Sequence, residues 1–268
     1  MKEFEDYLIA ADLDGTLYKT QHNIPKENID AINEFVKKGG KFTIATGRGI
    51  EAARFVSKEI QLSCPAIVSN GNTLYDYDSD KLIYTQYYPD SVKCCVKEFY
   101  SLFPSLGIEV YCDKDIYVLR ENEVIKHHLN YENVEYKIAD IDDIWNLDWS
   151  KLLMADEVDA LQPVKQYAAK YQKNGFEFVS TSEKYFEIIL SGVNKGTALI
   201  KLAEFLDIPH NHVYAIGNYY NDKEMIERAG MGCVVNDTPT ELKGIADYVT
   251  KSDCENGALA EFIQFVMD

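Results

Sequence analysis

The sequence predicts an α/β fold, in which a parallel sheet with helices on both faces carries an inserted α+β domain. Two observations predict it. Short apolar runs alternate with amphipathic segments at the start and end of the 268-residue chain, and this alternation favours a parallel sheet with right-handed crossovers. Between residues 80 and 190 the alternation gives way to helical and strand-like segments in mixed order. We therefore expect a core formed by residues 1–79 and 191–268, and an inserted domain over residues 80–190.

The N-terminal elements follow from the spacing of apolar residues. The run Tyr7–Ala11 is typical of a buried parallel strand. Apolar residues at helical spacing predict a helix over residues 25–38, and the pair Gly39-Gly40 is typical of its C-terminal end. The other elements predicted in this region are strands over residues 41–45 and 66–69 and a helix over residues 52–60.

The inserted domain and the closing region are predicted in the same way. A hairpin is expected between residues 75 and 84. Pro163 near the start and Gly175 near the end support a helix over residues 162–174. The other helical and strand-like segments of the insertion are 91–103, 108–112, 116–119, 152–156, 176–180 and 185–190. The alternation of helix and strand then returns over residues 195–206, 213–216, 221–229, 232–235 and 257–266.

An excess of acidic residues restricts the expected partners. Lys+Arg 27 against Asp+Glu 44 gives a net charge of −17, which repels phosphate backbones and anionic lipid, so we expect neither nucleic-acid nor membrane partners. A phosphate site would then need a local lysine, Mg²⁺ or helix N-termini. No apolar stretch of about 18 residues and no signal-peptide pattern is present, so a cytoplasmic location is the default expectation. The six cysteines fit no metal-binding spacing and are expected to be buried thiols. No obligate protein partner is indicated.

The first apolar run ends in Asp12-Leu-Asp14-Gly15-Thr16, the most specific motif of the chain. Its two carboxylates follow a strand and project towards the edge where α/β sheets bind ligands. Gly15 allows a sharp turn that leaves backbone N–H groups free for an anion. An isolated Asp-Gly pair would indicate an ordinary surface turn, but the buried strand before it favours a site.

Two further loops stand at predicted strand ends. Thr46-Gly47-Arg48 follows the second strand, where Thr46 would offer its hydroxyl to a phosphoryl oxygen, and Asn70-Gly71 follows the third. Each loop taken alone is equally typical of a turn or a helix cap.

The fourth and fifth pieces lie after the insertion. Lys195 begins a predicted helix, and a cation there opposes the helix dipole unless an anion occupies that place; alone, a solvated surface lysine would be the simpler interpretation. Asn218, Asn221 and Asp222 follow the strand over residues 213–216 and offer the oxygen ligands that Mg²⁺ prefers. An Asn-Asp pair alone would be an ordinary N-cap. Their order along the chain, each beside a strand end or helix start, favours one shared site.

This order of motifs resembles the Cof-type branch of the haloacid dehalogenase (HAD) superfamily of phosphohydrolases. The resemblance implies a Rossmann-like core, an inserted cap domain and Mg²⁺-dependent hydrolysis of small phosphorylated metabolites. It implies that Asp12 is the nucleophile, that Asp14 is the general acid and base, and that Thr46 and Lys195 hold the phosphoryl group. Asp12 and the backbone carbonyl of Asp14 would bind the metal, and Arg48 would lie near the leaving group. The candidate metal ligands are thus Asp12, Asp14, Asn218 and Asp222. The candidate substrate-binding residues are Gly15, Thr16, Gly47, Arg48, Asn70, Gly71 and Asn221.

The chain departs from the family pattern at Asn218, where the family usually has a metal-binding aspartate. Either Asp222 carries the metal, directly or through water, or the affinity for the metal falls. Two other functions stay open, a mutase because relatives with similar motifs return the phosphoryl group to a sugar, and a sensor because of Asn218. A phosphosugar mutase would need a second phosphate grip, for which arginine is favoured, and the predicted insertion contains a single arginine, Arg120. A sensor would bind a phosphorylated metabolite without turnover.

Overall fold

The computed structural model describes residues 3–19, 23–171 and 175–268, and the chain divides into two compact units. The core unit comprises residues 1–48, 53–84 and 193–268, and the inserted unit comprises residues 49–52 and 85–192.

The strands, in chain order, are β1 (Leu8–Ala11), β2 (Lys41–Ile44), β3 (Ala66–Val68), β4 (Thr73–Asp76), β5 (Lys81–Thr85), β6 (Gly107–Cys112), β7 (Asp115–Arg120), β8 (Lys137–Ile138), β9 (Lys151–Ala155), β10 (Phe176–Ser180), β11 (Tyr185–Leu190), β12 (Val213–Gly217), β13 (Met231–Val234) and β14 (Tyr248–Val249). The helices are α1 (Lys26–Lys37), α2 (Ile50–Ala53), α3 (Val56–Glu59), α4 (Asp90–Leu102), α5 (Glu123–Glu132), α6 (Val158–Ala168), α7 (Lys195–Phe205), α8 (Lys223–Arg228), α9 (Thr240–Lys243) and α10 (Ala258–Met267).

The core unit is built on a parallel sheet with the strand order β14-β13-β12-β1-β2. β1 is fully buried, as an apolar strand between two neighbours requires. Leu8 faces a hydrophobic cluster with Leu199 and Leu202 of α7. Tyr214 of β12 contacts Phe262 of α10, so helices cover both faces, as the sequence predicted.

The core unit also contains a second, smaller sheet. β3, β4 and β5 form it in that order, and β3 also makes one parallel bridge, between Ala45 and Ile67, at the end of β2. The third strand therefore carries the loop Ser69–Gly71 to the same edge as the loop after β2.

The inserted unit contains a mixed sheet with the order β10-β11-β9-β6-β7-β8. Its ladders are antiparallel except for the parallel pair β7 and β8. One cluster of buried side chains joins this sheet to α4 and α6, and a second joins it to α5. The α+β insertion is thereby confirmed as a layered unit with its own core.

One detail of the prediction is corrected. α6 begins at Val158, so Pro163 lies inside the helix and not near its start. The missing N–H at Pro163 removes one helical hydrogen bond, but burial of Leu161 and Val164 stabilises the helix across it. The predicted end of this helix falls partly on residues 172–174, outside the described residues.

The cysteines, all within the described residues, are free thiols. Cys95, Cys233 and Cys254 are buried as expected, whereas Cys94 is exposed on α4 and the other two are half-buried. Within the ranges 3–19, 23–171 and 175–268, no helix is long and apolar enough to span a bilayer.

Candidate active site

Asp12 stands directly after β1, at the carboxyl edge of the parallel sheet. Its backbone N–H donates to Ile216 O at 2.9 Å, which continues the ladder to β12, and its side chain is buried. The Lys195 Nζ donates to Asp12 Oδ1 at 2.6 Å and to Asp222 Oδ1 at 2.7 Å. These three buried side chains form what we term the lysine cluster (Asp12, Lys195 and Asp222).

Charge in the lysine cluster is not balanced. Burial raises the pKa of Asp12, the Asp222 carboxylate raises it further, and the Lys195 ammonium lowers it, leaving a pKa above the ordinary value. Burial lowers the pKa of Lys195, but the two carboxylates outweigh burial and raise that pKa. Two carboxylates and one ammonium give the cluster a net charge of −1 when all three are ionised.

Lys195 is held in place by the start of α7. The Asn194 side chain accepts from Thr197 N and the Thr197 hydroxyl accepts from Asn194 N, which forms a capping box. Gly71, at φ 95°, lies so close that a Cβ there would stand 2.2 Å from the carbonyl oxygen of Asn194. The structure thus gives Gly71 a packing role that brings the third loop against the residue preceding Lys195.

Asp222 anchors the loop that follows β12. Its Oδ2 accepts hydrogen bonds from the backbone N–H groups of Asn218 at 2.9 Å and of Tyr219 at 3.0 Å. Because its Oδ1 is bound by Lys195, both oxygens of this fully buried carboxylate are used inside the protein.

The Asn218 side chain lies over the first loop. A Cβ at Gly15, where φ is 87°, would stand 2.1 Å from Asn218 Nδ2, so glycine is required for this close approach. The Asn218 Oδ1 is buried and has no hydrogen-bond partner among the described residues. A buried acceptor oxygen of this kind is costly unless a ligand completes it.

Asp14 lies in the same loop but is bound by a different cation. The Arg48 guanidinium contacts it in a bidentate manner, with Nε 2.9 Å from Oδ2 and Nη2 2.8 Å from Oδ1, and the Tyr18 hydroxyl donates to Oδ1 at 3.0 Å. Burial would raise the pKa of Asp14, but the hydrogen bonds and charge of Arg48, with the Tyr18 hydroxyl, outweigh it and lower the pKa.

The expectation that the turn leaves its N–H groups free for an anion is wrong for Gly15 and Thr16. Gly15 N donates to Tyr18 O at 2.8 Å and Thr16 N to Leu13 O at 3.2 Å, both within the turn. The turn closes on itself because Tyr18 returns beside Asp14 in a local bridge. The Thr16 hydroxyl, in contrast, is buried, and no residue in the described part of the chain forms a hydrogen bond with it.

The loops after β2 and β3 meet the loop after β12 at this edge of the sheet. Thr46 is buried, and its hydroxyl accepts from Arg48 N at 3.1 Å. The Asn221 Nδ2 donates to Asn70 Oδ1 at 3.2 Å, and a Cβ at Gly47 would stand 3.1 Å from the same oxygen. The residues predicted for the site are thus linked into two neighbouring networks, one around Asp12 and one around Asp14.

Comparisons with known proteins identify the family of this chain. A family model described as haloacid dehalogenase-like hydrolase matches residues 9–263. The chain belongs to the haloacid dehalogenase-like hydrolases. The predicted resemblance to the HAD superfamily is confirmed.

Curated relatives match this HAD-like hydrolase over its full length. The 5-amino-6-(5-phospho-D-ribitylamino)uracil phosphatase YitU of Bacillus subtilis is 24% identical, with 98% of each chain covered. The phosphatase YcsE of the same organism, named for the same activity, is 28% identical, with 97% of this chain and 96% of the relative covered. Phosphatases of this superfamily are phosphoric monoester hydrolases, and the chain is an enzyme of this class.

Solved structures agree on the fold. A haloacid dehalogenase-like hydrolase from Bacteroides thetaiotaomicron superimposes with a TM-score of 0.88 at 23% identity, covering 97% of this chain and 99% of that one. A HAD/COF-like hydrolase from Plasmodium vivax gives a TM-score of 0.82 at 22% identity, covering 100% and 97%. Both share the fold of this chain over nearly its whole length.

Sequence reasoning missed Tyr18 in this HAD-like site. The residue follows Leu17 in what looks like the apolar continuation of the first motif, and its ring is indeed buried. Only its position four residues after Asp14, on the far side of a glycine turn, could have indicated that its hydroxyl returns to that carboxylate.

Proposed function

We propose that this enzyme is a Mg²⁺-dependent phosphatase that hydrolyses small phosphate monoesters through an aspartyl-phosphate on Asp12. The observation that carries the proposal is the lysine cluster at the carboxyl edge of the sheet. It places a buried, cation-bound carboxylate beside a second, half-exposed carboxylate, that of Asp14. A nucleophile and a proton carrier are the two groups that such a hydrolysis requires.

The two aspartates divide the reaction. In the first step an oxygen of Asp12 bonds to phosphorus while the bond to the leaving oxygen breaks, and Asp14 gives that oxygen its proton. In the second step a water attacks the phosphorus of the aspartyl-phosphate, Asp14 takes the proton of that water, and phosphate leaves with Asp12 regenerated. Asp14 therefore ends each cycle in the protonation state in which it began.

Lys195 serves both as an orienting group and as a charge. Its Nζ fixes one oxygen of Asp12 at 2.6 Å, which leaves the other oxygen to attack. Its ammonium also offsets negative charge on a phosphoryl group, and we assign Thr46 and Lys195 to hold that group. Transition states of phosphoryl transfer depend mainly on such positioning and charge stabilisation.

The residues fit a Mg²⁺ ion. We assign its protein ligands to the Asp12 carboxylate, the Asp14 backbone carbonyl and Asn218 Oδ1, because no described residue forms a hydrogen bond with that buried oxygen. Asp222 would anchor the loop instead, since both its oxygens are already bonded. Among the described residues no group of three or more His, Cys, Asp or Glu side chains is arranged to hold a metal, and Mg²⁺, which keeps several waters, needs no such group. When bound, the ion neutralises charge on the phosphoryl oxygens.

The names of the relatives support a substrate class. Two are named 5-amino-6-(5-phospho-D-ribitylamino)uracil phosphatases, and another is named HMP-PP phosphatase. We propose that this chain likewise acts on a small phosphorylated metabolite, either a sugar phosphate or a phosphorylated cofactor precursor. The core unit would perform the chemistry, and the inserted unit would serve as the cap.

A phosphosugar mutase is less well supported. The Arg120 guanidinium donates to three backbone carbonyls, those of Tyr100 and Phe103 at 2.8 Å and of Leu106 at 3.4 Å. It stabilises the inserted unit from within, so this arginine is engaged in structure and not in gripping a second phosphate.

The test is phosphate release from an aryl phosphate, with Mg²⁺ and with EDTA, for the wild type and Asp12→Asn. We expect Mg²⁺-dependent release that falls roughly a thousandfold or more in the variant, because an amide cannot act as the nucleophile. Asp30→Asn, at an exposed aspartate of α1, is the matched control and should keep full activity. Circular dichroism checks the fold. Release by Asp12→Asn within tenfold of the wild type, or equal release in EDTA, would contradict the proposal.

A further inference from the structure

The hydroxyl of Tyr18 is the third hydrogen-bond donor to the Asp14 carboxylate. It stands 3.0 Å from Oδ1, an oxygen that also accepts from Arg48 Nη2 at 2.8 Å. The Tyr18 side chain is 1% exposed, whereas the Asp14 side chain is 48% exposed. A fixed, buried group therefore holds a carboxylate that solvent could otherwise reorient.

Tyr18 is held in place both through its backbone and through its ring. Its backbone carbonyl accepts from Gly15 N at 2.8 Å, which closes the loop that carries Asp14. Its ring packs edge-on against Phe55 at 5.7 Å between centroids. The Arg48 guanidinium lies 5.9 Å from the centre of the same Phe55 ring, so one aromatic residue supports both donors.

Proton transfer depends on the orientation of the carrier. A bidentate arginine fixes the plane of a carboxylate, and a directional O–H donor then distinguishes one oxygen from the other. A displacement of such a group by about one ångström, or a rotation by a few degrees, lowers the reaction rate without affecting substrate binding.

We propose that Tyr18 is a positioning residue for Asp14, holding its carboxylate in the orientation used for proton transfer to the leaving group. The inference rests on the proposed function, since it takes Asp14 as the acid. It adds a residue that transfers no proton to the substrate and acts only through the hydrogen bond from its hydroxyl to Asp14.

The experiment compares Tyr18→Phe with the wild type on phenyl phosphate and p-nitrophenyl phosphate. The phenyl ester needs a proton on its leaving oxygen, whereas p-nitrophenolate leaves readily without one. We expect kcat/KM to fall roughly three- to tenfold for the phenyl ester, the effect of one lost hydrogen bond, and less than twofold for the p-nitrophenyl ester. KM for both esters should stay within twofold of the wild type.

The matched control is Tyr248→Phe, which removes another tyrosine hydroxyl bonded to a carboxylate of the core unit, that of Glu261 at 2.8 Å. This variant should leave kcat/KM for both esters unchanged. In an Asp14→Asn background, Tyr18→Phe should have no further effect on the phenyl ester, because residues that act through one another are not additive.

Each other outcome is decisive. An equal fall for both esters would mean that Tyr18 only stabilises the fold, and unchanged or faster hydrolysis of the phenyl ester would mean that the hydroxyl does not position Asp14 for transfer. Either result overturns the inference while Asp14→Asn still loses the phenyl ester selectively. If Asp14→Asn shows no such selectivity, or the wild type hydrolyses neither ester, the proposed function itself fails.

Discussion

The core unit and the inserted unit each bury one basic side chain between two carboxylates. In the lysine cluster the distances from Lys195 Nζ are 2.6 and 2.7 Å. In the inserted unit, His128 Nδ1 stands 2.9 Å from Glu109 Oε1 and Nε2 stands 3.6 Å from Glu132 Oε1. We term the latter three residues the histidine cluster. With its imidazole protonated it has the same net charge as the lysine cluster, −1.

The two clusters differ in how firmly the positive charge is fixed. Lysine stays ionised across the neutral pH range, and its carboxylate partners raise its pKa further. Burial lowers the pKa of His128, but the hydrogen bond and charge of Glu109 and the charge of Glu132 outweigh burial and raise it. A histidine near its titration range can lose its charge within the physiological range of pH. The positive charge of the lysine cluster is therefore permanent, whereas that of the histidine cluster depends on pH.

Their surroundings explain the difference in role. The lysine cluster is assembled from loops and a helix start at the carboxyl edge of a parallel sheet, where α/β proteins bind ligands. The histidine cluster joins the face of β6 to α5, and Tyr111 donates to the second oxygen of Glu109 at 2.8 Å. A similar set of charges thus lies at the proposed active site in the core unit and packs a helix against a sheet in the inserted unit.

The largest effect is expected from Lys195→Met, which removes the permanent cation. Two buried carboxylates would then face each other unpaired, and breaking a buried ion pair in this way costs about 3–5 kcal/mol. We expect this loss in the free energy of unfolding, measured with urea, together with loss of phosphate release. Lys37→Met, at an exposed lysine of α1, is the control and should change stability little. A stable Lys195→Met protein would show that the cluster is not held by charge.

Asn218→Asp adds one negative charge beside the lysine cluster and so tests whether this residue binds the metal. If Asn218 Oδ1 is a metal ligand, the affinity for Mg²⁺ should rise roughly tenfold, and the metal-free protein should become less stable through repulsion. Isothermal titration with Mg²⁺ and thermal unfolding in EDTA measure the two effects. Asn211→Asp, at an exposed turn, should change neither. Unaltered Mg²⁺ affinity would remove Asn218 from the ligand set.

The smallest effect is expected for the histidine cluster, in the pH dependence of the Tm. The folded-state pKa of His128 lies above its ordinary value of 6.5, so its stabilising contribution is complete below that pH and is lost as the pH rises through the folded-state pKa. From pH 6 to pH 9 the Tm of the wild type should therefore fall relative to that of His128→Gln, by roughly 2–4 °C. His127→Gln, at the exposed neighbour, should follow the wild type. Parallel curves for wild type and His128→Gln would refute the assignment.

Much of the fold was predictable because its signals are local. β1 and the motif after it stand together in the sequence, and α7 begins at Lys195 as its apolar spacing indicates. α5 was not predicted, although Asn122 caps it by accepting from Ile125 N. Its polar pair His127-His128 conceals the apolar stripe, since one histidine is exposed and the other is buried against Glu109.

By itself the sequence determined which chemical groups stand at the strand ends, because a motif is read within a few residues. Only the tertiary structure decided how those groups pair, because pairing joins positions that are distant in the chain. Lys195 meets Asp12 across 183 positions, and Arg48 meets Asp14 across 34. The use of Asp222 as a loop anchor, the return of Tyr18 to Asp14 and the buried histidine cluster have the same origin. Each depends on burial that removes water from a charged group and requires a partner from another element.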